Sequence, residues 1–171
     1  MSVASDEDHL ALGRAVDAWS EAEGWIFYMF SIISRTTLDV AYAIMASFGG
    51  FGPQRDLFER IVKLQPMEDD LRKILLEASK EFERLTPQRN KIIHGEWQAI
   101  GTPEKLTTYR VGKTKNLRYL DAYLKAGEDP QRAIFTVEML DTFTADCAAL
   151  SKRMYEMCDH PHLRRDFSTV S

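Results

Sequence analysis

The stretch LRKILLEASKEFERL, residues 71–85, decides the fold class, because Leu71, Ile74, Leu75, Ala78, Phe82 and Leu85 recur at the three- and four-residue intervals of an amphipathic helix. The opposite face is charged, as water requires. Upstream the same period predicts a long helix from about Leu10 to Ile33, with Val16, Trp19, Ala22, Ile26, Phe30 and Ile33 on its stripe. Ser5, followed by three acids, is its expected cap. A second apolar helix is expected from about Thr37 to Phe48, closed by Gly49-Gly50, and Pro53 opens a third to about Leu64.

Downstream of the central stretch, Thr86-Pro87 reads as a cap followed by proline at a first helical position, which predicts a separate fifth helix ending near Gly95. From Glu96 to about Val111 the residues turn β-branched and aromatic around Gly101-Thr102-Pro103, the signature of a hairpin or an irregular excursion. A last helix starts near Thr136 and places Leu140, Phe143, Cys147, Leu150, Met154 and Met157 on one face, before a loosely ordered tail over 159–171. The expected fold is all-α, an up-and-down helical bundle of about five or six helices, with a small β-hairpin or irregular excursion after the fifth helix. Its 171 residues and 44% apolar content suit a single domain, 1–171, with one core.

The net charge of -4 gives no whole-body positive field, so any nucleic-acid contact must be local. No apolar run reaches the roughly 18 residues of a membrane span, and the first residues are acidic, unlike a signal peptide. Cys147 and Cys158 are eleven residues apart in one helical pattern. That is about 16 Å along a helix axis, too far for a disulfide. Reduced thiols and a cytoplasmic location are the expectation.

One segment carries a chemical signature: Arg89-Asn90-Lys91-Ile92-Ile93-His94. Arginine holds a permanent planar charge suited to phosphate, and histidine gives and takes protons near neutral pH. Together they suit phosphodiester chemistry on RNA. The histidine acts on the 2′-hydroxyl or the leaving oxygen, the arginine stabilises charge on the phosphorane, and no metal or other cofactor is needed in principle.

Arg89, Asn90 and His94 resemble the motif of the HEPN superfamily of helical domains, an arginine followed after four to six residues by a histidine, often with a polar residue directly after the arginine. Arg153 with His160 meets only the loosest form of it, across a helix end and the tail. The resemblance implies a metal-independent endoribonuclease that forms a homodimer through the motif helices, with two arginines and two histidines sharing one cleft. In this chain Arg89 and His94 would be catalytic and Asn90 would position one of them. It also implies a setting such as phage defence or a toxin–antitoxin system, with RNA and an antitoxin or other protein as partners. Other members bind nucleotides or only support a partner, so a non-catalytic dimerisation or partner-binding module is the rival function. A plain helical scaffold is the third reading, in which Arg89 pairs with a carboxylate while Asn90 and His94 cap or bridge helices.

Helix geometry supplies a constraint of its own. Residues five apart are separated by about 140° around the axis, so Arg89 and His94 do not share a face, whereas Asn90 and His94 do. Bringing both charged groups to one phosphate then requires the arginine to wrap around the helix or a second copy across a two-fold axis. Glu23, on the apolar stripe of the first helix, is expected either to orient Arg89 or His94 or to reach water from the stripe's edge.

Between Lys105 and Lys125 six basic residues stand against one acid, interleaved with Tyr109, Tyr119 and Tyr123. Arg110, Lys113, Lys115 and Arg118 are the RNA-binding candidates there, against the alternative of a solvated loop whose tyrosines cover the core. Cys158, Asp159, His160 and His162 offer ligand types for zinc, but their spacing matches no common site, and no metal is expected.

Overall fold

A serine followed three residues later by an acid marks a helix start when each caps the other, and Ser5 and Asp8 do so. The Asp8 N–H donates to Ser5 Oγ at 3.1 Å, and the Ser5 N–H donates to Asp8 Oδ2 at 2.7 Å. From this cap, in a computed structural model, α1 runs over Asp6–Ile33. The structure describes residues 5–102, 105–111, 134–161 and 163, with 96–102, 105–111 and 134 by backbone alone. Helix α1 ends without glycine. Arg35 takes the left-handed conformation (φ 57), while the Arg35 and Thr36 N–H groups return to the Ile32 and Ser31 carbonyls at 3.1 and 3.0 Å.

Helix α2 (Leu38–Ala46) opens behind Thr37, whose hydroxyl accepts from the Val40 N–H at 3.3 Å. The expected closure at Gly49-Gly50 is corrected. The helix stops at Ala46, because the N–H and hydroxyl of Ser47 both turn back onto the Ile44 carbonyl, at 3.2 and 2.6 Å. Gly50 instead precedes α3 (Phe51–Leu64) with φ 152 and ψ 168, a conformation that a Cβ would strain. Pro53 lies in the first turn of α3, where its missing N–H has no intrahelical partner to lose.

The expected break at Thr86-Pro87 is also corrected: a single helix, α4, covers Asp69–His94 with Pro87 inside it. The physical reason is the stripe. Leu71, Leu75, Ala78, Phe82 and Leu85 are buried at alternating steps of four and three, and two further steps lead through Arg89 to Ile92, which is also buried. Keeping the stripe continuous favours one helix over the local cost of a proline's missing N–H and crowding ring, and Pro87 itself is exposed.

After His94 the chain forms the hairpin. Strands β1 (Glu96–Thr102) and β2 (Lys105–Val111) pair antiparallel, from Glu96 opposite Val111 to Thr102 opposite Lys105. Strand β3 (Ile134–Phe135) adds to β2, placing Phe135 opposite Arg110 and giving the order β1-β2-β3. Helix α5 (Val137–Cys158) follows, with the Thr136 hydroxyl accepting from the Met139 N–H at 3.2 Å, and all six residues expected on its stripe are buried. The class is all-α, a helical bundle: five helices carry nearly all the buried residues among those described, and the sheet is an appendage.

Contacts group the chain into two compact units, Met1–Trp19 with Leu85–Asp146, and Ser20–Arg84 with Cys147–Ser171. In the first, Trp19 is buried and stacks on Phe143, ring centroids 6.3 Å apart at 18°. Burial of each such ring contributes roughly 1.5–3 kcal/mol, far more than the exposed Arg14–Asp141 ion pair at 2.7 Å. In the second, Gln54 is buried and donates to the Met45 carbonyl at 2.9 Å, and the buried Ser79 hydroxyl donates to Glu59 Oε1 at 2.7 Å. No helix among the described residues is long and apolar enough to cross a membrane.

Candidate functional site

The continuity of α4 decides how the motif residues are presented. Arg89 occupies a stripe position, four residues after Leu85 and three before Ile92, and so turns toward the interior of its unit. Its guanidinium carbon lies 5.8 Å from the centre of the Trp19 ring, within cation–π range. The aliphatic stem lets a cation reach such a position while the head stays partly in water. Arg89 is half-buried, and its Nε is enclosed with no hydrogen-bond partner among the described residues.

The outer edge of the guanidinium turns to Asn90, with Arg89 Nη1 donating to Asn90 Oδ1 at 3.1 Å. Asn90 is exposed, as is His94 one turn later at the end of the helix. Among the described residues, Arg89 has no ion pair with any carboxylate, and the His94 ring makes no hydrogen bond or ion pair. The structure therefore brings Arg89 and Asn90 together and leaves His94 open to water on another face, in keeping with the offset of about 140°. The carboxylate pairing of the scaffold reading is not found.

Glu23 belongs to the other unit. It is half-buried on α1, and its carboxylate has no hydrogen bond or ion pair among the described residues. Arg110 lies in β2, with Trp97 and Phe135 as its register partners on either side. Lys113, Lys115 and Arg118 lie outside the described residues. At the chain's other candidate, His160 Nε2 is 3.8 Å from Glu68, and no group of three or more potential metal ligands gathers among the described residues.

The residue that the sequence reading missed is Trp19. It lies in the core, as its place on the α1 stripe predicts, and it is also the platform that holds Arg89. The signal existed in the sequence, since position 89 continues the 71–75–78–82–85 rhythm once the helix is not cut at Pro87. Comparison with protein-family models, with curated proteins and with solved structures finds no significant match to this chain.

Proposed function

We propose that this protein is a HEPN-like, metal-independent endoribonuclease that works as a homodimer joined along the C-terminal part of α4. The observation that carries this reading is the Arg89 cation, seated on Trp19 and bonded to Asn90, with no carboxylate among the described residues neutralising it. A half-buried cation without a counter-ion is suited to an anionic ligand, and arginine's planar fork matches phosphate. In the proposed step the ribose 2′-oxygen attacks phosphorus and the bond to the 5′-oxygen breaks. His94 of one copy takes the 2′ proton or supplies the proton that the leaving 5′-oxygen needs, and Arg89 of the other steadies the phosphorane charge. The products are a 2′,3′-cyclic phosphate end and a 5′-hydroxyl end. Asn90 positions Arg89. RNA in the cytoplasm is the substrate, Arg110, Lys113, Lys115 and Arg118 contribute phosphate contacts, and phage defence or a toxin–antitoxin pair with a protein inhibitor is the setting.

The test is incubation of the purified chain with mixed RNA in chelator, alongside His94→Ala. Cleavage by the wild type that leaves cyclic phosphate ends, and its loss in the folded variant, is the expected result. Intact RNA with a dimeric wild type turns the reading to its rival, a non-catalytic dimerisation or partner-binding module. One observation favours that rival: the enclosed Arg89 Nε and its ring contact are what a packing residue would show. A monomer in solution counts against both.

A further inference from the structure

In the second unit, α1 and α5 leave an open recess of about 430 Å³. Glu21, Gly24, Trp25 and Tyr28 line it from one face of α1, and Tyr155 and Cys158 from one turn of α5. The three aromatic rings stand edge to face. Tyr28 meets Trp25 at 86° with centroids 5.7 Å apart, and Tyr155 meets it at 71° and 5.8 Å. Rings set nearly at right angles make the adjoining walls of a box, and Tyr155 stays 60% exposed.

Among the described residues that line it, Glu21 is the one ionised side chain. The Cys158 thiol is held above its usual pKa by burial and then by Asp159 beside it, and it donates to the Met154 carbonyl at 3.6 Å. It therefore remains a neutral thiol rather than a nucleophile. Glycine in mid-helix costs about 1 kcal/mol relative to alanine, yet a Cβ at Gly24 would meet no atom within 4 Å. Gly13 shares that freedom, but only Gly24 borders the recess, where a side chain would occupy it.

We propose that this recess binds a small organic cation by its quaternary ammonium head, with the faces of Trp25, Tyr28 and Tyr155 around the methyl groups and Glu21 at the rim. Aromatic walls attract a weakly hydrated cation through their ring quadrupoles, whereas an anion would meet the Glu21 carboxylate. The volume suits a small molecule.

The test is calorimetric titration of the full chain with choline chloride, at matched ionic strength, against 3,3-dimethylbutan-1-ol, which has the same shape without charge. Choline should saturate and the neutral alcohol should not. Tyr155→Ala should weaken choline roughly fivefold to thirtyfold while Tyr155→Phe keeps it, since the ring face is what binds. Gly24→Leu should abolish binding and leave the melting temperature unchanged or higher. No saturation by choline up to roughly 50 mM overturns the proposal, because contacts this weak would hold nothing. So does equal binding of the alcohol, or a Tyr155→Ala variant that binds as the wild type does.

Discussion

At position 89 packing and the proposed chemistry would use different parts of one side chain, so substitution can separate them. The guanidinium carbon lies over the Trp19 ring, and Nη1 at its outer edge is turned to Asn90. Arg89→Ala removes both, and should cost about 1–2 kcal/mol in urea unfolding through lost stem packing and the cation–π contact. Arg89→Met keeps an apolar stem and a sulfur over the ring, and should stay within about 0.5 kcal/mol of the wild type. Both should lose RNA cleavage. An Arg89→Met protein that cleaves normally would show that the charge is not used. A second residue tests the other unit. The hydrogen bond from the Ser79 hydroxyl holds the Glu59 carboxyl below its ordinary value of 4.5, burial opposes this, and Lys63 adds to the lowering. A carboxyl depressed in the folded state adds stability that is complete above the unfolded value and is lost as pH falls through the folded one. Ser79→Ala should therefore cost about 1–2 kcal/mol at neutral pH, and the cost should shrink as pH falls through the lowered folded value, below which the acceptor is neutral in both states. Urea unfolding at about pH 7 and about pH 3 checks it; an equal loss at both would assign the effect to packing alone.

Among the elements, α4 holds the sharpest conflict between local and tertiary preference. Pro87 cannot donate to the Glu83 carbonyl, and its ring crowds that turn, yet the helix continues from Asp69 to His94. Pro87→Ala restores the donor at an exposed position, and should raise stability, by up to about 3 kcal/mol. Thermal unfolding measures this. No gain would mean that the helix already breaks at Thr86, and Arg89 would then lose its place on the stripe. The same conflict explains what could be read from the sequence. Periodicity located α1, the core of α4 and every buried position expected on α5, because burial follows the helical period directly. Local terminator signals misled at Gly49-Gly50 and Thr86-Pro87, because a serine's own hydrogen bonds ended α2 early and a continuous buried stripe carried α4 through its proline. The motif triplet was legible, as was the different facing of Arg89 and His94. The Trp19 seat was not, since it joins positions 70 residues apart, and neither was the aromatic recess, whose Trp25 and Tyr155 come from the two ends of the chain.

For the whole molecule, a net charge of -4 means that any attraction to RNA has to come from a local arrangement of cations. Since Arg89 and His94 lie about 140° apart around α4, the proposed pairing of two copies would supply each phosphate with the arginine of one and the histidine of the other. Such a shared site can be recognised without seeing it. Arg89→Met and His94→Ala should each be inactive alone, but mixed, unfolded and refolded together they should form hybrid dimers in which one of the two sites keeps both intact residues. Hybrids make up about half of a random equal mixture and carry one good site in two, so the mixture should recover up to about a quarter of wild-type cleavage. A site built within one chain predicts no recovery at any ratio, because every chain present lacks one of its groups. Recovery that rises with the hybrid fraction, followed by tagging one variant, assigns the chemistry to the pair; its absence, beside an active wild type, assigns it to an arginine that wraps around its own helix.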